Sequence, residues 1–390
     1  MRYTAEIITG LEDFLGLESI WNNLLSQSPT NTYFMRWEWL SNWWDIYSQP
    51  DDQLNVIVIK DGNAIVCIAP FYTRKRYVAK YYPSRLLMFL GTQYHGKGDA
   101  CSDFIDLIYI NNHGDERALV DIVFEQINNK NVCDEIYLSK IDMDSVTMKL
   151  FFEHTDNHGL LKIIREKYVS PYITLPDTWD GYMDGISASM RYKIRREQRK
   201  LEKNYSVNFR RSENLEELGA DYNELIRMHT EWWETRNIDG AFSDTIFRKF
   251  HERLMPIMLK NGHLDLHFMR EGEKNLAVLY LIKYDKKVYF YQSGIESSEK
   301  KSSFGYIMHS YCIDDAIKAS FAEYDFLPDV NTNGYKQKYT KRNRDIADVY
   351  LCSNKLIKTH VVLRKYAAAA YRSIKKTLEL ARPNYPTQQS

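Results

Sequence analysis

The chain has 390 residues, beyond the length at which one hydrophobic core stops growing, so two domains of ordinary size are expected. Its 52 Lys and Arg balance 52 Asp and Glu, which excludes a global charge that would draw it to DNA or to an anionic membrane. No stretch reaches the ~18 apolar residues of a membrane helix, and MRYTAEIITGLEDFLG has no apolar signal core, so a cytoplasmic location is expected. Five cysteines, odd in number and never spaced C-x-x-C, read as reduced thiols rather than disulfides or zinc ligands.

In chain order, the spacing of Ile20, Trp21, Leu24 and Leu25, then of Trp37, Leu40, Trp43 and Trp44, predicts two helices over 17–47, broken at Ser28-Pro29. Strands are predicted at 54–60 and 64–72 around Asp61-Gly62-Asn63, then at 86–90 and 104–110. A helix (116–128), a strand (134–139) and a helix (145–154) follow. A strand and a Pro-punctuated linker close this half near residue 175. The second half opens with a charged helix over 187–203 and a strand over 206–210. Two amphipathic helices are centred on Leu225 and Phe250. Strands at 263–270, 276–284 and 287–293, a helix at 304–319 and a strand at 323–327 complete it. This order is α+β rather than doubly wound. A basic helix is predicted over 353–382, solvated or resting on an anionic membrane surface.

Several motifs are weighed for chemistry. GTQYHGKG at 91–98 imitates a phosphate loop, but Gly98 stands where a Ser or Thr would hold magnesium and a strand follows, so no ATP site is expected. Tyr94, His95, Asp99 and Asp103 nevertheless make that loop a polar pocket candidate. His263, Asp265 and His267 alternate along a strand; without a fourth ligand they read as a polar outer face, and no metal is expected. His154 and His158 read as solvent histidines. In SMRYKIRREQRKLEK, Arg191, Arg195 and Arg199 share one side of a helix and suit an anionic acceptor. Lys300, Lys301, Ser302, Ser303, Phe304 and Gly305 open a helix whose free N–H groups suit a pyrophosphate. Past the strand at 323–327 come Tyr335, Lys336 and Lys338, charged and phenolic groups at a strand end.

These pieces, in order, resemble the GNAT-superfamily acyltransferases of the cellulose-biosynthesis (CelD/BcsL-like) type, cousins of the Fem-type peptidoglycan aminoacyltransferases. The likeness is carried by YFMRWEWLSNWWDIY, IAPFY, LLMFLGTQYH and SDFIDL in the first half. In the second it is carried by SPYITLPDTWDGYMDGISASMRYKIRREQRKLEK, RMHTEWWETR, SSFGYIMHSYCIDDAI and YDFLPDVNTNGYKQKYT. The resemblance implies two tandem GNAT-like domains, each a mixed, mostly antiparallel sheet flanked by helices. Residues 1–175 would form a degenerate acceptor-side domain, 176–350 the donor domain, and 351–390 a basic helix and tail.

It further implies an acyltransferase that moves an acyl group, acetyl first, from acetyl-CoA or another acyl-CoA to an amine of a polysaccharide or cell-envelope precursor, a small molecule or nucleotide-sugar. Lys336 is expected at the transferred carbonyl, with Asp325 and Tyr335 placing it, because Tyr335-Lys336 resembles the aromatic-Lys motif of Fem-type relatives. CoA is expected at 300–305, and the acceptor at Arg191, Arg195, Arg199, His95 and Asp103. Two rivals remain: aminoacyl transfer from tRNA, with phosphates tracking along Arg191 to Arg199, and a non-catalytic polysaccharide-assembly component. One departure from the family stands out: Leu327-Pro328-Asp329-Val330-Asn331-Thr332-Asn333 replaces its glycine-rich turn.

Overall fold

A computed structural model describes residues 2–94, 99–110, 115–129, 131–296, 304–329, 334–361 and 363. The first half runs β1 (Tyr3–Ile8), α1 (Leu11–Leu15), α2 (Glu18–Ser26), α3 (Trp37–Tyr47), β2 (Asp52–Leu54), β3 (Val56–Asp61), β4 (Ala64–Ala69), β5 (Phe71–Val78), β6 (Tyr82–Phe89), β7 (Ile108–Tyr109), α4 (Glu116–Asn129), β8 (Glu135–Asp142), α5 (Val146–Asn157) and β9 (Leu161–Thr174). The second runs α6 (Trp179–Gly185), α7 (Ala188–Asn204), β10 (Val207–Arg211), α8 (Leu215–Glu234), α9 (Thr245–Lys260), β11 (Leu264–Glu271), β12 (Lys274–Tyr284), β13 (Lys287–Ile295), α10 (Phe304–Lys318), β14 (Glu323–Asp325) and β15 (Asn343–Cys352).

The fold is α+β, two tandem GNAT-like halves that share one sheet. Eleven strands run in the order β10-β11-β12-β13-β14-β9-β15-β8-β6-β5-β2, and β1-β3-β4-β7 form a smaller sheet. Pro70, which has no N–H to add to a ladder, separates β4 in the small sheet from β5 in the large one. The halves exchange their last strands. β9 of the first half pairs with β14 of the second, and β15, from the end of the second, pairs with β8 of the first.

Each half repeats one device. β6 and β8 run parallel and pair over three positions, Leu86↔Glu135 to Met88↔Tyr137, then part. β13 and β14 run parallel and pair over Lys287↔Glu323 to Tyr289↔Asp325, then part. A register shift between Tyr280 and Leu281 leaves Tyr291 of β13 without a partner on β12; such a bulge bends the strand at the point of divergence.

One core spans both halves. Trp39 of α3 lies edge-on to Phe250 of α9 at 5.0 Å, and the Asn42 side chain donates to the Phe250 carbonyl at 3.1 Å. A second core, with Met190, Ile194 and Leu201 of α7 and Met308, Cys312 and Ile313 of α10, covers the other face of β12 and β13.

Several expectations are corrected here. Of the strand predicted over 104–110, only Ile108–Tyr109 forms; Phe104 sits at φ +60, which an extended strand forbids. Residues 17–47 form the two expected helices, α2 and α3, parted after Ser26, with an additional 3-10 turn at Tyr33–Met35 between them. β1, α6 and β15 lie outside the predicted elements. Asp265 and His267 are buried, not on an outer face: Asp265 is paired with Lys283 at 2.7 Å and Arg211 at 3.0 Å. The ring of His154 stacks on Phe124 and bonds Asp121. Lys355 to Val361 are helical; most of the predicted 353–382 helix lies outside the described residues.

Candidate functional site

Where β13 and β14 part, a cavity of about 560 Å³ opens, a volume typical of small-molecule sites. One wall is the far end of β13 (Phe290, Tyr291, Gln292, Ser293); another is α10 through Gly305, Tyr306 and His309. The turn after β14 adds Phe326 to Asp329, followed by Tyr335 and Lys336; α8 adds His229, Trp232 and Trp233, and the turn after it Arg236. The first half supplies Cys101, Asp103 and Lys140. In the first half the corresponding gap is taken by the protein itself: Phe104 N–H donates to Lys140 C=O at 3.1 Å, and Trp39 Nε1–H to Ser102 Oγ at 2.8 Å. Only the second gap is free for a ligand among the described residues.

Asp103 is 3% exposed and 3.3 Å from the Lys140 ammonium. Burial pushes its carboxyl up to about 6 against the opposing pull of Lys140. Burial also raises the neighbouring Asp99. The wall thus sets one carboxylate, Asp103, against one ammonium, Lys140, with Asp99 acting on both from behind it.

Lys336 Nζ donates to the Phe326 and Leu327 carbonyls at 2.8 and 3.3 Å and lies 3.7 Å from Asp329. Burial lowers its pKa. Leu327 holds φ +60, which turns the chain after β14 so that successive carbonyls face one ammonium. Asp325 is buried beneath the cavity rather than in its wall. It accepts from Leu327 N–H at 2.8 Å, Ser170 Oγ–H at 2.9 Å and Arg344 at 2.8 Å, so it reaches Lys336 only through the Leu327 turn. His229 Nδ1 meets the Ser293 carbonyl at 2.8 Å; a carbonyl only accepts, so Nδ1 carries the hydrogen. Burial lowers this imidazole to about 4.

Among the residues expected from sequence, the fold brings Asp103, Gly305, Tyr335 and Lys336 into this one cavity. Phe304 packs in the second core, edge-on to Tyr205 at 5.3 Å. His95 and Lys300, Lys301, Ser302 and Ser303 lie outside the described residues. Arg191, Arg195 and Arg199 do not line the cavity. Arg191 Nη1 donates to the Met183, Asp184 and Ile186 carbonyls at 3.0, 3.1 and 2.8 Å, capping α6 as a structural cation. Arg195 and Arg199 are exposed. Lys140, His229, Trp232, Trp233, Arg236 and His309 were not foreseen. His229, Trp232, Trp233, Arg236 and His309 fall inside stretches that carried the resemblance, but nothing in their spacing marks them as lining a site.

The comparisons bear on this second half. Residues 188–337 match the acetyltransferase (GNAT) domain model, a stretch containing β13, α10, β14 and Lys336. The protein is an acetyltransferase-type enzyme. No curated protein matches the chain at a significant level. Among solved structures it is similar to the crystal structure of FemX, with TM-score 0.58 and 10% identity over 91% of this chain and 99% of that one. It is also similar to the C-terminal domain of a protein assigned as a lysylphosphatidylglycerol synthetase from Agrobacterium fabrum, at TM-score 0.52 and 9% identity over 89% and 95%. A conserved protein of unknown function from Bacteroides thetaiotaomicron gives 0.50 and 10% over 90% and 100%. At such identities the likeness is one of fold.

Proposed function

We propose that the protein transfers an acyl group, acetyl first, from acyl-CoA to a primary amine of a polysaccharide or cell-envelope precursor in the cytoplasm. The observation that carries the reading is the cavity opened by the parting of β13 and β14 inside the GNAT-matching stretch, walled on its far side by the first-half pair Asp103 and Lys140. The thioester would enter past Gly305 at the start of α10, whose free N–H groups and positive dipole end suit a pyrophosphate. The acceptor arrives as an ammonium, which the Asp103 side attracts and deprotonates. The amine lone pair then attacks the thioester carbonyl, the C–N bond forms, the nitrogen sheds its remaining extra proton, the C–S bond breaks and the leaving thiolate takes up that proton. Lys336, held by two carbonyls, is a fixed positive charge beside the developing oxyanion.

Calorimetry with acetyl-CoA tests the donor side. A Cβ on Gly305 would meet Ile295 Cδ1 at 3.1 Å, so Gly305→Val is expected to weaken binding about tenfold, or ~1.4 kcal/mol. Equal affinity in wild type and variant, or no binding of acetyl-CoA by the wild type, would overturn the reading.

A further inference from the structure

His309 of α10 lines the cavity, and the mechanism above makes no use of it. Its ring is 2% exposed, lies edge-on to Phe290 at 4.5 Å and is packed by Phe326 and Tyr339 at 5.3 and 5.5 Å. Nδ1 is 3.0 Å from the hydroxyl of Tyr324, a fully buried residue of β14. Among the described residues that phenol has no other hydrogen-bond partner, and a buried O–H must donate. It therefore donates to Nδ1, which makes Nδ1 the lone-pair nitrogen and places the hydrogen on Nε2. Nε2 is the nitrogen left for the cavity. Burial, aided by the charge of Lys336, lowers the imidazole to about 3, so at neutral pH it is an uncharged donor.

We propose that His309 is an oxyanion donor, its Nε2–H hydrogen-bonding the carbonyl oxygen of the transferred acyl group, with Tyr324 the positioning residue that sets the tautomer. The inference rests on the acyl-transfer reading. As the amine attacks, the carbonyl π pair moves onto oxygen and returns when the C–S bond breaks; His309 keeps its proton throughout. Lys336 supplies charge from a fixed place, whereas the imidazole supplies direction. A base at this position would need the opposite tautomer, with the lone pair on Nε2.

The test joins a spectrum that needs no substrate to a kinetic comparison. ¹⁵N NMR of the full chain is expected to show His309 as the neutral Nε2–H tautomer, shifting toward a mixture in Tyr324→Phe. With acetyl-CoA and glucosamine as the amine probe, His309→Phe is expected to lower kcat for thiol release about 100-fold, the scale of one lost oxyanion donor. Acetyl-CoA affinity and the shape of the pH profile should not change, and His309→Gln, which restores an N–H, should recover part of the rate. If His309→Phe does not fold by circular dichroism, Tyr324→Phe carries the same comparison. An Nδ1–H tautomer in the wild type, a wild-type rate in His309→Phe, or a displaced pH limb in His309→Gln would overturn the proposal. Failure of the wild type to bind acetyl-CoA would overturn the donor assignment instead, and the tautomer spectrum keeps the two failures apart.

Discussion

Asp103 enters the cavity from the half that has lost its own gap, and its ionisation sets a pH dependence. The carboxyl, pushed up to about 6 by burial, is neutral below that pH and charged above it, and only the charged form attracts an ammonium or takes its proton. Acceptor turnover is therefore expected to rise between pH 5 and 7 with an apparent midpoint about 6, and Asp103→Asn should flatten that limb while lowering the rate above it. A limb that persists unchanged in Asp103→Asn would assign the titration to another group. Lys336, Tyr335 and Asp103 were legible in the sequence as polar residues beside strand ends. Lys140 was not, because its ammonium is placed by the turn of β8, where Lys140 itself sits at φ +47.

The elements that frame the cavity depend on β15, whose Asp348 is the knot of the strand exchange. Its carboxylate accepts from Tyr137 O–H at 2.7 Å, Ser139 O–H at 3.0 Å, Lys140 N–H at 2.7 Å and Tyr168 O–H at 3.0 Å. Three of those donors are on β8 and one on β9. Asp348→Ala is expected to cost about 3 kcal/mol, since it strands buried donors that share one charged acceptor. Urea denaturation measures this, with Asp345→Ala, an exposed site on the same strand, as the near-neutral control; equal midpoints for the two variants would contradict the role given to Asp348. On the opposite side, Gly294 of β13 lets α8 approach. A Cβ there would stand 2.6 Å from Met228 Cβ and 2.9 Å from His229 N. Gly294→Ala is expected to destabilise the chain by about 1–3 kcal/mol and to displace His229 from the cavity wall; a thermal melt unchanged from wild type would show that the helix yields instead.

At the scale of the molecule, exchanged strands and a core shared by α3 and α9 make the halves one cooperative body. Urea unfolding is expected to give a single transition, coincident by far-UV circular dichroism and by tryptophan fluorescence, because five of the eight tryptophans (Trp21, Trp37, Trp39, Trp43, Trp44) lie in the first half while the GNAT match lies in the second. Two separated transitions would mean that the halves are thermodynamically independent. An expressed segment 176–350 would leave β14 without β9 and should not fold alone.

Local pattern determined the elements and their class. Helix and strand periods survive in sequence because each element buries one face, and that was enough for an α+β architecture, for the helix that opens at Gly305 and for the polar turn that holds Lys336. What the pattern could not carry is which strands become neighbours. β9 and β15 read as ordinary strands or went unread, since the partner of a strand is set by the whole sheet rather than by its own residues. The same limit hid His309 and Tyr324: they are 15 residues apart, on a helix and a strand, and only the crossover from β13 through α10 to β14 brings ring and phenol within 3.0 Å. It also misread Arg191, whose charge reads as a ligand contact in one dimension and turns out to cap the carbonyls at the end of α6 in three. Tertiary structure alone decided that one gap between parallel strands is filled by residues of the chain itself and the other stands open, because a loop fills a gap through long-range packing that no local spacing records.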